Sequence, residues 1–582
     1  MLSAGAALLA ACGGDGGDSG GSKGGLIKQQ PDRSKEARVG GTMRYRGGGG
    51  GSVDSIGSAL TTDRDLSEMF HNRLMHVLPG VNEPASGEKV GDAAQSWEFA
   101  PDGLKLTFKI RQNLGTDPRP PLAGRKLNAK DVLSSWTRFA AESTLKADFL
   151  NSLNPDAPVT SVTTPDDFTV VFNLAFPSAL LFNYLADGFY FHIMPREANE
   201  KVYDPKVEAH GAGPYYLTEL LPGAHTKMAR NPNYYDAPMP YYERLEFFNI
   251  PERAAQLAQF ESKQMDIGRG TPGNIGPVDN DNVLDIYGRH QDAILHATPL
   301  SDNGPMSRFG YAPGSVFEDE RVRQAISMIQ DRAALAEVFT NETKLKAGGI
   351  PVTSRWATHI TALWDFAWED PQDSKSLQGN AKYFQYNVAE AKKLLEAASK
   401  LNVEFVYHGD NYIPPNVTAS ETLAGHINNA GVVKANLKIE DFASWSLANV
   451  YRGRGNYEGM FHGGTGFRFS PEHYLYAQLD PGPGTSFYSA AQGEKLFPEI
   501  LKKVKAMVRE FDDKKRIQLV KDIQVLAAKQ MPFLPTGAVS EHFTLAWPWV
   551  VGAAVLKDTP GDATGFRSTL FSRFWYDEKL KT

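Results

Sequence analysis

One cysteine, Cys12, stands in 582 residues. A single thiol excludes an internal disulfide and any thiolate metal cluster. The chain has no uninterrupted apolar run of eighteen residues or more, so no segment reads as a membrane-spanning helix. Excess positive charge is also missing. The formal net charge is −7, which argues against a nucleic-acid surface, because phosphate binding needs clustered Lys and Arg. GxSxG occurs only inside the glycine-rich stretch 13–24, away from any strand-to-helix pattern, and HExxH, CxxC, HxH and GxxxxGK[ST] do not occur, so a nucleophile elbow and the commonest signatures of zinc and nucleotide sites are lacking.

What is present is an ordinary globular composition, 41% hydrophobic and 22% charged. The length allows two to four domains. Strand and helix patterns alternate without an internal repeat of 20–50 residues, so the class is α/β or α+β. Gly41–Arg46 alternates like a strand and leads into the glycine run Gly47–Gly51. That run reads as a loop or as a place where backbone approaches a ligand closely. Pro101-Asp102-Gly103 is turn chemistry between two alternating stretches, with Leu104, Leu106, Phe108 and Ile110 on one face of the expected hairpin.

Helices are announced by their caps. Asn128 precedes a stretch with Val132, Trp136 and Phe139 on one stripe. Asn387 with Glu390 caps a second, with Ala391, Leu394, Leu395 and Ala398 inward. "FEDERVRQAISMIQDRAAL" predicts one amphipathic helix, with Val322, Ala325, Ile326 and Ile329 buried. "DDFTVVFNL" (166–174) predicts a strand, and Lys502–Lys529 at least one long helix.

The N-terminus explains the lone cysteine. Residues 1–11 are short, apolar and rich in small side chains, like the end of an export signal. Leu9-Ala10-Ala11-Cys12 resembles the lipobox of bacterial lipoproteins, which implies that Cys12 carries diacylglycerol as the first mature residue. No Lys or Arg precedes Ala11, so an upstream start would supply the basic part of such a signal. The alternative for Cys12 is a small buried residue. Residues 12–40, dominated by glycine, serine and charge, read as a flexible linker reaching roughly 25–30 Å by random-coil scaling.

Taken in order, "GDAAQSWEFAPDGLKLTFKIRQNL" with "LNAKDVLSSWTRF", "GAGPYYLTELLPGAHTKMARNPNYY", "FEDERVRQAISMIQDRAAL", "YNVAEAKKLLEAA" and "MPFLPTGAVSEHFTLAWPWVVG" resemble the family 5 extracytoplasmic solute-binding proteins of ABC importers. The resemblance implies an α/β fold of two lobes around a hinge, with an additional domain. It divides the chain into 41–78, 205–300 and 531–582 as lobe I, 79–204 as the extra domain and 301–530 as lobe II. It also implies a non-enzymatic role without a cofactor: capture of an oligopeptide or another small organic molecule and delivery to an ABC permease. The receptor would be a monomer outside the cytoplasm, held to the membrane by its lipid. A lipid-anchored hydrolase and a metal-chelate binder of the same family are the alternatives.

For the cleft, the resemblance places Phe467 where peptide-binding relatives keep an aspartate for the ligand's ammonium, followed by Arg468. Phe442 and Trp445 fall on an aromatic, cleft-lining segment, and Tyr45, Arg355 and Trp356 are further candidates. Phe467 and Arg468 would suit an apolar, aromatic or anionic solute, by stacking and a guanidinium fork; the other reading puts Phe467 in the core and Arg468 in solvent. His462 and His473 flank the same stretch as candidate metal ligands, with ordinary hydrogen-bonded histidines as the alternative. Gly211, Gly213 and Pro214 read as a tight entry into a strand.

Overall fold

The computed structural model describes residues 25–47, 51–58, 61–268, 276–298, 306–412, 414–451, 453–463, 470–482, 486, 488–557 and 567–581. The lipobox cysteine Cys12, and with it the expected signal segment, lies outside the described residues, as do Phe467 and Arg468.

Three sheets organise the body. The first-lobe sheet runs Thr42–Arg46, Arg244–Phe248, His225–Arg230, Tyr215–Leu221. The first pair is parallel and the others antiparallel. Met43 and Tyr45 alternate inward from the opening strand into a core that also holds Trp547 and Trp549, stacked 5.4 Å apart. The extra domain is an antiparallel sheet, Ala94–Phe99, Lys105–Ile110, Thr169–Leu174, Val159–Asp166, with the helix Ala129–Glu142 against it. The second-lobe sheet runs Lys434–Glu440, Glu404–Asp410, Met460–Gly463, Met306–Phe309, Phe533–Pro535.

Local chemistry explains the boundaries. Asn128 accepts from the Lys130 amide at 3.0 Å while Asp131 accepts from the Asn128 amide at 2.8 Å, a reciprocal cap. Gly103 sits at φ +70°, as the hairpin turn requires. Leu104 departs from expectation: it lies before the strand and is 37% exposed, while Leu106, Phe108 and Ile110 are buried. Asp166 ends one strand and turns the chain through Asp167 into Thr169–Leu174, so the 166–174 strand is the second arm of a hairpin. The single helix expected near 320–335 is two, Glu320–Met328 and Arg332–Thr340, because Asp331 caps a new start on the Ala334 amide.

Residues 25–40 lie against the body. The Leu26 amide donates to the Gly349 carbonyl at 3.3 Å and Ile27 packs on the first-lobe core. Arg33 and Arg38 donate to the two oxygens of Asp577 at 2.7 and 2.8 Å, both guanidiniums resting over Trp575. Leu345, Ile350 and Val352 also pack in the first-lobe core, although the chain around them builds the second lobe.

The "GAGPYY" block joins the first lobe to the start of the chain. Gly213 donates its amide to the Phe70 carbonyl at 2.9 Å. A Cβ at Gly211 would lie 1.7 Å from that same oxygen. Overpacking of this kind costs about 1–3 kcal/mol or more, so Gly211→Ala should lower the unfolding free energy by that amount and the urea midpoint with it. Gly288→Ala, in the helix Val283–Arg289 with nothing within 4 Å of its added carbon, should hold or gain about 0.5–1 kcal/mol. Equal midpoints for the two variants would contradict the close approach.

Candidate functional site

Four strands of the second-lobe sheet point the same way. Glu404–Asp410 is parallel to Lys434–Glu440 and to Met460–Gly463. Met306–Phe309 runs antiparallel to both its neighbours, so the C-terminal end of Phe533–Pro535 joins the same edge. The chain enters the sheet at this edge after Thr298 and leaves it after Pro535 toward the first-lobe strand pair Ile294–Thr298 and His542–Ala546. The edge therefore faces the first lobe, and the carboxyl ends of such strands are where open α/β sheets place ligands.

One face of that sheet carries His408, Phe461 and Arg308, aligned across adjacent strands. The helix Phe442–Tyr451 covers it. This helix is wide, with the Ser446 amide reaching back five residues to the Asp441 carbonyl. Trp445 stacks on His408 with ring centres 4.2 Å apart and lies 6.1 Å from both Tyr457 and Phe461. The Arg308 guanidinium sits over the Tyr451 ring at 4.5 Å, and the Arg308 carbonyl accepts from the Tyr457 hydroxyl at 3.2 Å. Phe442 packs on half-exposed Tyr412 at 4.3 Å. Val450, Tyr457 and Phe461, with Trp445 and Tyr451 against them, form an apolar cluster distinct from the main cores.

Charge at the edge is compensated. Asp410 accepts from the Tyr412 amide at 3.1 Å and from Asn416 Nδ2 at 2.7 Å. Burial raises its carboxyl, and those bonds and the Arg308 charge pull it back. Burial lowers the Arg308 guanidinium while the surrounding tyrosines and Asp410 oppose that shift. Glu440 accepts from His408 Nδ1 at 2.8 Å and from Lys438 at 3.0 Å. Burial pushes the His408 imidazole below its ordinary value against the pull of Glu440.

Of the residues singled out by sequence, Phe442 and Trp445 lie in this assembly, both half-buried. Tyr45 is 4% exposed, edge-on to Phe247 and Phe571 in the first-lobe core. Arg355 and Trp356 pair with Val539 and Ala538 beside the chain crossing. Arg355 bonds Asp365 and lies 5.9 Å from the Trp368 ring centre. His462 lies opposite Ser307 in the sheet and bonds the Met306 backbone. His473 bonds the Tyr190 hydroxyl at 2.9 Å. Among the described residues there is no group of three or more His, Cys, Asp or Glu side chains placed to hold a metal. Sequence reasoning missed Arg308, Asp410, Tyr412, Tyr451 and Tyr457. The signal for two of them was "VEFVYHGDNY", an apolar alternation ending in polar and aromatic residues, as a strand does at a ligand edge.

Two sheet-centred lobes, with chain crossings at a strand edge lined by rings and buried charge, define a two-lobed binding protein. The model of bacterial extracellular solute-binding proteins, family 5, matches residues 88–486, and the chain belongs to that family. It is 23% identical over 445 residues to "Probable di/tripeptide-binding protein 5" of Pseudomonas aeruginosa (strain UCBPP-PA14), an alignment covering 72% of this chain and 76% of that protein. Two of the solved structures that share the fold illustrate the likeness. The dipeptide-binding protein from Pseudoalteromonas sp. SM9913, in complex with Met-Leu, has a TM-score of 0.71 at 17% identity, over 92% of this chain and 100% of that one. The PBP AgaA in complex with agropinic acid, from A. tumefaciens R10, has a TM-score of 0.70 at 19% identity, over 92% and 99%. No helix among the described residues is long and apolar enough to cross a membrane.

The buried histidines set an acid limit. Burial pushes the His462 imidazole down to about 4 from its ordinary 6.5. Between those values the unfolded chain holds the extra proton, so acidification through this window favours unfolding. The melting temperature should fall from pH 6.5 to pH 4, and His462→Asn, which takes up no proton there, should flatten part of the fall. An identical slope in the variant would contradict a buried neutral imidazole.

Proposed function

We propose that the chain is the solute receptor of an ABC importer, that its cargo is a di- or tripeptide, and that it works from a lipid anchor at Cys12. The observation that carries the cargo reading is the second-lobe edge. Trp445, Tyr451 and Phe442, all half-buried, offer ring faces for side chains, while buried Arg308 and Asp410 set opposite charges in the floor beneath them. A short peptide carries both an ammonium and a carboxylate, and burying either costs heavily without a partner. The likeness to a di/tripeptide-binding protein supports the same reading.

In this reading residues 41–78, 205–300 and the chain after Pro535 act as one lobe, 79–204 as an extra domain, and the second-lobe sheet with its helices as the other. Ligand touches both lobes only when they close, and so favours the closed form. The folded body hands cargo to the permease outside the cytoplasm as a monomer, with no chemical step of its own.

The test is thermal shift with a panel of di- and tripeptides including Met-Leu, against nickel and iron chelates and sugar-acid conjugates. A peptide at 100 times its Kd stabilises by about 2.7 kcal/mol. Trp445→Ala should keep the ligand-free melting temperature within a few degrees and lose most of the peptide-induced rise. A rise with chelates or acids alone, or an undiminished peptide rise in Trp445→Ala, would contradict this assignment of cargo and site.

A further inference from the structure

The helix Pro471–Leu479 belongs to the second lobe, where it packs on the helices Pro498–Arg509 and Asp513–Gln530, yet every one of its residues is buried. The cover on its other side comes from the extra domain. Asn183 Nδ2 donates to Ser470 Oγ at 2.8 Å. His473 Nε2 and the Tyr190 hydroxyl are 2.9 Å apart, and that hydroxyl donates to Asp148 at 3.1 Å, so the imidazole is the donor of the pair. Asn154 Nδ2 donates to the Tyr476 hydroxyl at 2.8 Å. Positions 470, 473 and 476 recur at three-residue spacing and share one helix face. The extra domain thus grips a single stripe of a second-lobe helix. The Tyr184 ring adds an edge-on contact to His473 at 4.6 Å.

A second grip lies nearer solvent. Asp156 of the extra domain pairs with Arg509 at 2.6 Å and Lys505 at 3.2 Å, both on the adjoining second-lobe helix. Arg509 also rests over Phe176 at 4.4 Å, and Phe511 meets Phe99 edge-on at 5.0 Å.

The extra domain is tied differently to the first lobe. It enters and leaves through that lobe's chain. Buried backbone acceptors on both sides are also shared: Asn233 Nδ2 donates to the Thr116 carbonyl at 2.9 Å, Asn231 Nδ2 to the Gly115 carbonyl at 3.3 Å, and Arg119 Nη2 to the Ala209 carbonyl at 2.7 Å. No covalent link joins it directly to the helix 471–479. The contact with the second lobe is also apolar, since buried side chains of the two form one continuous cluster, so parting them would expose rings as well as break the hydrogen bonds to that helix.

We propose that the extra domain is a latch for the closed form, gripping the second lobe through Asn154, Asn183, Tyr190 and Asp156 and so setting the closed fraction before ligand arrives. Those four are positioning residues that act on closure rather than on cargo. A ligand that needs the closed form sees its affinity scaled by the fraction already competent. Loosening the latch therefore weakens binding of every ligand by one common factor. The inference rests on the hinged two-lobe reading, and its main readout needs no ligand.

The experiment is hydrogen exchange on the full chain, with small-angle scattering on the same samples. In the variant Asn154→Ala with Asn183→Ala, the amides of 471–479 should exchange faster by about tenfold, the scale of one or two lost buried hydrogen bonds. The amides of the sheet strand Glu404–Asp410 should stay unchanged. Asp156→Arg should raise the radius of gyration at low salt, and Asp156→Arg with Arg509→Asp should restore it. Unchanged exchange at 471–479, an equal rise throughout the second lobe, or a charge reversal that the swap does not restore would overturn the latch. Those outcomes would leave the cargo reading standing, since that is judged separately by peptide-induced thermal shift.

Discussion

The structure depends on keeping two apolar cores apart. The first-lobe core, around Tyr45, Trp547 and Phe571, and the larger core of the second lobe and extra domain are separate clusters. A core fused between the two lobes would resist their parting, as the cluster shared by the extra domain and the second lobe resists it on that side. Separate cores leave the chain crossings and the polar contacts to set the angle between them. Two of those crossings meet the carboxyl edge of the second-lobe sheet, so the place where the lobes can move is also the place where buried charge and aromatic rings gather.

That edge is costly to build. Arg308 is 1% exposed, as is Asp410, and isolated buried charges are destabilising by several kcal/mol each. Their mutual attraction, the Tyr451 face under the guanidinium and the amides on Asp410 offset that cost. Elsewhere buried arginines donate to main-chain carbonyls: Arg332 to Ser327 and Phe384, and Arg323 to Phe317 and Gln530. Arg308 stands out because it lies just inside the edge the chain crosses, opposite Phe461 and Phe533, with its guanidinium over the Tyr451 ring.

Local structure was legible where a single residue decides it. Asn128, Asn387 and Asp102 act over three or four residues, and the sequence shows them directly. Leu104 was misplaced because an apolar residue next to a turn continues the alternation without joining the strand. The break between Ile329 and Arg332 was hidden because both helices share one apolar stripe, and only the Asp331 side chain, bonded to the Ala334 amide, restarts the ladder. Residues 25–40 read as linker by composition, yet two arginines on one distant carboxylate hold them, and no local pattern reveals a partner more than five hundred residues away. For the candidate site, aromatic density and the family resemblance single out Phe442 and Trp445, which the fold places on the same helix over the second-lobe sheet. Arg308 was out of reach because arginine is mostly exposed, and nothing in "MSRFGY" marks it as buried.

The account stands on closure of two lobes about these crossings over a bound guest. Its most direct measurement is small-angle scattering of the full chain, ligand-free and then saturated with a peptide that raises the melting temperature. A smaller radius of gyration and a shorter maximum dimension in the saturated sample are the expected result. Superimposable curves with binding verified in the same sample would contradict it.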